Sequence, residues 1–288
     1  MASMRDIKRR KGSIQSTQQI TKAMKLVSTV KLQRSKQHAL NSKSYFSYMY
    51  STVQDMLAKA GTINHSYVTG NDSTKKAVVV ISGNRGLAGG YNSNVVKLIT
   101  KGELTKEDLV MYTVGKKGRE SFARYGYELA PDYSEMIEAP EYIDAMRLCA
   151  DLLNKYRAGE IGEIYLAYTA FKNTVSHEPT LMKLLPVDQT AEAEAVSEDS
   201  KSQVPMNFEP AEEEALELII PKYVSSIIYG AMIESVASEN GARMQAMDSA
   251  TSNAEEMIGK LTLQYNRARQ GSITQELTEI IAGAQAIS

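Results

Sequence analysis

The sequence has no tryptophan, a single cysteine (Cys149) and no run of about 18 apolar residues. One cysteine excludes an internal disulfide, and its apolar neighbours predict a buried thiol. The missing apolar run argues against a membrane-spanning segment. The opening residues, MASMRDIKRR, lack the apolar core of a secretory signal, so we expect none. The hydrophobic content of 43% and the charged content of 23% are typical of a soluble globular protein.

Proline is missing from both ends of the chain, because all seven prolines lie between Pro131 and Pro221. Long helices are therefore permitted at both ends. Residues at helical spacing mark one N-terminal face: Ile20, Met24, Val27, Val30, Phe46, Met49, Val53, Met56 and Ala60. A heptad seam follows in the C-terminal part: Met244, Met247, Thr251, Ala254, Ile258, Leu261, Tyr265 and Ala268, continued by Ile273, Leu277, Ile280, Ala284 and Ile287. We expect residues 1–62 and 210–288 to pair as an antiparallel coiled coil.

Two details of this coiled coil can be predicted. Pro221 interrupts an apolar pattern, so we expect a break or kink in the C-terminal helix there. A helix from Lys222 to Ile287 exceeds its partner by about nine residues, which leaves a tip of ~13 Å. Such a tip exposes isoleucines unless another protein encloses it, so a partner is implied.

The middle of the chain, residues 74–188, alternates strand and helix patterns. The predicted strands are Lys76–Ser82, Leu109–Val114, Ile161–Phe171 and Leu181–Val187, with a turn at Ser176–Pro179 before the last of them. The predicted helices between them are Ser93–Thr100, Lys116–Tyr125 and Glu141–Arg157. This alternation indicates a Rossmann-like α/β domain with a mostly parallel sheet. Residues 189–209 are acidic and polar, which favours a solvated linker. The fold class is thus α+β / α/β.

The charge is unevenly distributed along the chain. Residues 1–40 carry ten Lys or Arg against Asp6 alone, a net charge of +9, whereas residues 188–217 have a net charge of −9. A basic segment is compatible with nucleic acid, an anionic membrane surface, an acidic protein partner or a merely solvated helix face. Residues 1–44 contain no aromatic side chain for bases to stack on, which argues against nucleic acid.

A glycine-rich loop follows the first predicted strand in the sequence SGNRGLAGGYN, residues 82–92. It lacks the spacing and the Lys-Ser/Thr pair of a phosphate-binding P-loop, because Tyr91 and Asn92 stand in their place. It also lacks the first tight turn of the dinucleotide fingerprint, since position 85 is Arg. We therefore interpret the loop as a structural turn. The three histidines are too far apart in sequence to form a paired metal motif, so neither a cofactor nor a metal is predicted.

Three long segments resemble the gamma subunit family of F-type ATP synthases. They are IKRRKGSIQSTQQITKAMKLVSTVKL at 7–32, the glycine loop, and GARMQAMDSATSNAEEMIGKLTLQYNRARQGSITQELTEIIAGAQAI at 241–287. The resemblance covers the whole chain. It implies a non-catalytic central rotor shaft that turns inside a ring of three alpha and three beta subunits and couples proton translocation to ATP synthesis or hydrolysis.

The resemblance also implies partners and contact positions. Met24 and Arg243 match positions where the family's shaft meets an acidic region of beta. Contacts to other beta loops are implied for Arg269, Gln270, Thr274 and Glu276. The epsilon subunit and the c-ring are the remaining implied partners, with membrane association only through partners, at the cytoplasmic side of a bacterial cell membrane. The alternative is a nucleotide-binding α/β enzyme with coiled-coil arms.

Overall fold

The computed structural model describes residues 3–59, 65–174, 176–187 and 212–287. The predicted linker at 189–209 lies outside the described residues. The chain forms two compact units. One combines Met1–Thr29 with Arg243–Ser288, and the other is Val30–Ala242.

Six α-helices and five strands make up the described chain. The helices are α1 (Met4–Lys59), α2 (Ser66–Thr69), α3 (Tyr91–Thr100), α4 (Lys116–Arg124), α5 (Tyr142–Arg157) and α6 (Glu212–Ile287). The strands are β1 (Lys76–Ile81), β2 (Leu109–Val114), β3 (Glu128–Leu129), β4 (Glu163–Phe171) and β5 (His177–Leu185). Short 3₁₀ turns lie at Lys106–Asp108 and Ser134–Ile137.

The strands form one sheet in the order β3-β2-β1-β4-β5. The first four are parallel, and β5 pairs antiparallel with β4. This confirms the predicted mostly parallel, Rossmann-like domain. The strand order reverses at β1, because β2 and β3 extend the sheet on one side and β4 is added on the other. Ligands of such sheets bind in the crevice at this reversal, outside the carboxyl ends of the strands.

The sheet is covered on both faces, which explains why β1 (KAVVVI) and β2 (LVMYTV) read as continuous apolar runs. One face packs on α5 and on the first half of α6, through side chains such as Leu148, Leu152, Val224 and Ile228. The opposite face packs on α3 and α4. Helix α5 begins in a capping box, in which Glu141 and Asp144 bond each other's backbone amides. At the start of α1, Ser3 Oγ accepts the Asp6 amide at 3.2 Å, so Ser3 caps this helix.

The turn predicted at Ser176–Pro179 is wrong. Strand β5 already begins at His177, and Pro179 pairs with Thr169 within the ladder. A proline is tolerated there because β5 is the edge strand, and an edge strand needs no outward N–H for pairing.

A break at Pro221 is wrong, since α6 runs as one helix from Glu212 to Ile287, whereas a kink there stays a prediction. Core packing on both sides of the proline holds the helix together, because Ile220 and Val224 are fully buried. The Pro221 carbonyl accepts the Ser225 hydroxyl at 2.6 Å and the Cys149 thiol at 3.5 Å. Cys149 is buried as predicted, and burial raises the pKa of its thiol to about 11.

Helix α6 is also the one part of the described chain that is long and apolar enough to pass a composition test for a membrane span, within Glu214–Gln285. More than half of that apolar window is buried inside the chain. The first half of α6 packs in the core against the sheet, and a buried core helix passes the same test.

The first prediction concerns Glu163 at the start of β4. Burial opposes its ionisation, but hydrogen bonds from Lys183 and Lys76, both at 2.7 Å, lower the pKa of Glu163 to about 2. This stabilisation is present above the ordinary carboxyl pKa and is lost as the pH falls from about 4.5 towards 2. We expect E163Q to cost about 2 kcal/mol at pH 7 and to flatten the acid limb of a urea-unfolding series.

The matched control is E128Q, which removes an exposed carboxylate paired with Lys75 at 3.1 Å on the same sheet. It should change stability by less than about 1 kcal/mol. An unchanged acid limb in E163Q would contradict the prediction.

Candidate partner-binding surface

The two chain ends pair antiparallel in the first unit. Gln18 bonds Glu255 at 3.0 Å, the hydroxyls of Thr21 and Thr251 lie 2.8 Å apart, and Lys25 bonds Asp248 at 2.6 Å. Successive residues of α1 therefore contact residues progressively nearer the N-terminus of α6, which confirms the predicted antiparallel arrangement.

The seam of α6 is the predicted one from Met244 to Ala268, whereas its predicted continuation is exposed at Ile273, Leu277, Ile280 and Ala284. Met247, Ala254 and Leu261 are buried, and the intervening members of the predicted set are half-buried. The predicted face of α1 is wrong in its N-terminal half, because Ile20 and Val27 are 60% and 57% exposed. The buried positions there are Ile7, Thr21 and Ser28, which recur every seven residues together with half-buried Ile14. The seam of α1 thus combines two isoleucines with two short hydroxyl side chains, and Ile20 and Val27 lie outside it.

A surface of exposed apolar residues on α1 results from this seam. Ile20, Ala23, Leu26 and Val27 fall at helical spacing and are all exposed. We call them the N-terminal stripe. Exposed Lys22 lies beside it, and the preceding turns carry exposed Arg5, Lys8, Arg9 and Arg10. An apolar surface rimmed by charge marks an interaction site.

The tip of α6 is longer than predicted. Continuing the register of the three observed pairs places Ser3 near the level of Gln270, so about 17 residues, or ~26 Å, continue beyond the start of α1. The two helix lengths alone predict only about nine residues, because they do not reveal how the helices are aligned. Ile273, Leu277, Ile280 and Ile281 are exposed in this tip, with Ile280 at 68%.

The six predicted contact residues occupy two levels of this unit. Met24 and Arg243 are half-buried near the lower pairs, whereas Arg269 and Gln270 are exposed at the base of the tip and Thr274 and Glu276 are exposed within it. Arg243 and Arg269 are separated by roughly 39 Å along the helix axis. Glu276 accepts the Ser272 hydroxyl at 3.4 Å, and the Thr274 carbonyl accepts the Thr278 hydroxyl at 2.8 Å.

The glycine loop in the second unit is held by two asparagines that sequence reasoning missed. Asn92 accepts the Gly83 amide at 2.8 Å and donates to the Arg85 carbonyl at 3.1 Å. Asn84 accepts the Lys116 amide and donates to the Ser134 carbonyl, both at 2.9 Å. The loop is thus closed by its own side chains, and Asn92 performs a structural task at the position where a P-loop carries Ser or Thr. Among the described residues, no cluster of His, Cys, Asp or Glu could hold a metal ion.

The seam gives a second prediction. Replacing both Thr21 and Thr251 by valine removes both partners of a hydrogen bond and adds two methyl groups to the interface. We expect the double variant to gain about 1 kcal/mol in the first unit, because removing both partners is nearly neutral and the methyl groups are buried. Hydrogen exchange of amides 14–28 measures the gain. T21V alone is the control and should gain less, and a double variant with faster exchange would contradict the prediction.

The fold defines a class of chains in which two terminal helices pair antiparallel and an α/β domain is inserted between them. A family model described as ATP synthase matches residues 3–287. The chain belongs to this ATP synthase family.

Curated relatives match over the whole chain. The chain is 64% identical over 294 residues to the ATP synthase gamma chain of Lachnoclostridium phytofermentans, with full coverage of both sequences. It is 41% identical over 300 residues to the sodium ion specific ATP synthase gamma chain of Acetobacterium woodii, with 99% of each chain covered.

Solved structures share the fold at low sequence identity. The rotor of the Euglena gracilis mitochondrial ATP synthase matches with a TM-score of 0.67 at 17% identity, covering 94% of this chain and 98% of that one. The central stalk and c-ring structure from Tetrahymena thermophila matches with a TM-score of 0.60 at 23% identity, covering 80% and 99%.

Proposed function

We propose that this chain is the gamma subunit of an F-type ATP synthase and serves as its central rotor shaft. It turns inside a ring of three alpha and three beta subunits and couples proton translocation to ATP synthesis or hydrolysis at beta. The chain itself carries no catalytic site in this proposal. Its task is to present a different surface to each beta subunit in turn, so that each orientation favours a different state of that subunit.

The exposed tip of α6 is the observation that carries this proposal. Four large apolar side chains are exposed over about three turns, on a helix that continues beyond its antiparallel partner. A monomeric protein rarely leaves such a surface in water, so a sleeve of other subunits is its natural environment. The full-length similarity to gamma chains supports the same environment.

Two levels of contact follow from this placement. At the tip, the exposed polar residues Arg269, Gln270, Thr274 and Glu276 hydrogen-bond to loops of beta. At the lower level, Met24 and Arg243 meet an acidic region of beta, and the N-terminal stripe with its basic rim is suited to the same apolar and acidic surface. A charge-assisted hydrogen bond contributes about 1.5–3 kcal/mol, so a few of them define a resting angle and still break during each turn.

The other partners are the epsilon subunit and the c-ring, and nucleic acid is not among them. As a subunit of ATP synthase, the chain is part of a membrane-associated complex. We place it on the cytoplasmic side of the cell membrane, held there through its partners.

An affinity purification of the tagged full chain from its host membranes tests this function. We expect a complex with three copies each of two larger subunits for each copy of the chain, with ATPase activity. Proton and sodium gradients are then tested separately in reconstituted vesicles, because one relative is named as sodium ion specific. Recovery of the chain alone, or with nucleic acid, would overturn the proposal.

A further inference from the structure

The crevice at the strand-order reversal is filled by the chain's own helix. In sheets of this topology a ligand binds at the carboxyl ends of the two strands that flank the reversal, here β1 and β4. Gly83 follows the end of β1, and Thr169 and Phe171 lie at the end of β4. Strand β5 runs antiparallel, so its first residue, His177, pairs with Phe171 at the same edge.

Helix α6 contacts this edge through residues on nearly one face. The Ser238 hydroxyl donates to the Thr169 carbonyl at 3.1 Å, and the Glu234 carboxylate accepts the Phe171 amide at 3.3 Å. Gly241 lies against His177, because a Cβ added at Gly241 would be 2.8 Å from Cε1 of that ring. Positions 234, 238 and 241 are spaced by four and three residues, which puts them on one side of the helix.

Glu239 reaches the glycine loop beside this face. The residue is only 9% exposed, and its carboxylate lies against Gly83. A Cβ added at Gly83 would be 2.6 Å from Glu239 Oε1 and 2.7 Å from its Cδ, closer than real side chains approach. The loop therefore carries glycine at this position because the carboxylate of α6 fills the space that a side chain would need.

We infer that Glu239 is a positioning residue, which fastens α6 to the α/β domain by filling the crevice where nucleotide-binding sheets of this strand order hold a phosphate. The Glu239 carboxylate thus occupies the crevice in which a nucleotide-binding sheet would hold the phosphate of its ligand. It excludes a second anion, and it transmits force between the α/β domain and the helix. The last point rests on the proposed rotor function, whereas the filling of the crevice does not.

The substitution G83A tests whether the Glu239 carboxylate is held in place or can move away freely. If Glu239 is seated, the new methyl group has to displace it, and we expect the opening equilibrium of amides 79–92 and 234–241 to rise about tenfold in hydrogen exchange. In an E239A background the same G83A change should alter that equilibrium less than about twofold, because the clash is gone. E239Q keeps the shape and should retain at least half of the protection.

The matched control lies three residues further in the same loop. A Cβ added at Gly86 meets nothing within 4 Å, so G86A changes the backbone in the same way without touching the carboxylate. Equal exchange in G83A and G86A would overturn the inference, as would the same G83A effect with and without Glu239.

The second readout is the ratio of ions pumped to ATP hydrolysed in the reconstituted complex, at a temperature where every variant is folded. We expect E239A and G83A to lower this ratio at least twofold and G86A to leave it unchanged, an effect that a loss of stability alone would not produce. A wild-type chain that fails to assemble would contradict the proposed function and leave the exchange result standing. Normal assembly with unchanged ratios and unchanged exchange in E239A and G83A would contradict this inference alone.

Discussion

Replacing Gly115 by alanine should strongly destabilise the α/β domain. Gly115 has a φ of +120° between β2 and α4, a conformation that L side chains rarely adopt. An added Cβ would collide with the Ser82 carbonyl oxygen, a backbone atom fixed at the end of β1. Ser82 cannot retreat easily, because its amide donates to the Val114 carbonyl at 2.8 Å and its hydroxyl accepts the Gly118 amide at 2.9 Å. We expect a loss of at least ~3 kcal/mol in urea unfolding.

G159A separates backbone strain from the collision. Gly159 also has a positive φ, +74°, but an added Cβ there meets nothing within 4 Å. The control should therefore cost only about 1 kcal/mol. Equal decreases in the free energy of unfolding of G115A and G159A would show that the close approach of Ser82 to Gly115 does not contribute to the destabilisation.

Deleting residues 276–288 should have the largest effect on assembly. The deletion removes Leu277, Ile280 and Ile281, which are more than half exposed in the chain. Hydrogen exchange in the α/β domain should stay unchanged because no core contact is lost. Binding to the ring should weaken at least tenfold, since burying each such side chain contributes about 1.5–3 kcal/mol. Affinity for the purified alpha–beta ring measures the change.

A triple variant, L277S/I280S/I281S, tests whether apolar contact or mere length matters. It keeps the helix and should lose most of the same affinity. Full-strength binding by either variant would count against an enclosed tip.

Much of the fold could be predicted from local patterns. The parallel strands β1 and β2 carry continuous apolar runs, and α6 carries a seam whose members are buried or half-buried from Met244 to Ala268. These patterns depend only on residues that are close in sequence, so they can be recognised without the structure. The continuity of α6 through Pro221 could not be predicted, because a proline rule is also local, whereas the burial of Ile220 and Val224 is a property of the folded core.

The seam of α1 shows a different limit. Apolar periodicity marks the residues that are hidden from water, without saying which molecule hides them. Ile20 and Val27 follow the helical period, yet α6 contacts Thr21 instead, and Ser28 is buried one heptad further on. In the proposed complex the apolar face belongs to other subunits. The contact between Glu239 and Gly83 could not be predicted either, because 156 positions separate the two residues and no motif links them.

The state of Cys149 makes this chain convenient for labelling. It is the sole cysteine, it is buried, and its raised thiol pKa leaves almost no nucleophilic thiolate near neutral pH. A cysteine introduced at an exposed position such as Gln270 would then react alone with a maleimide dye or a gold bead. The wild-type background needs no prior removal of thiols, so a fluorophore or bead attached there would report the angle of a single molecule directly.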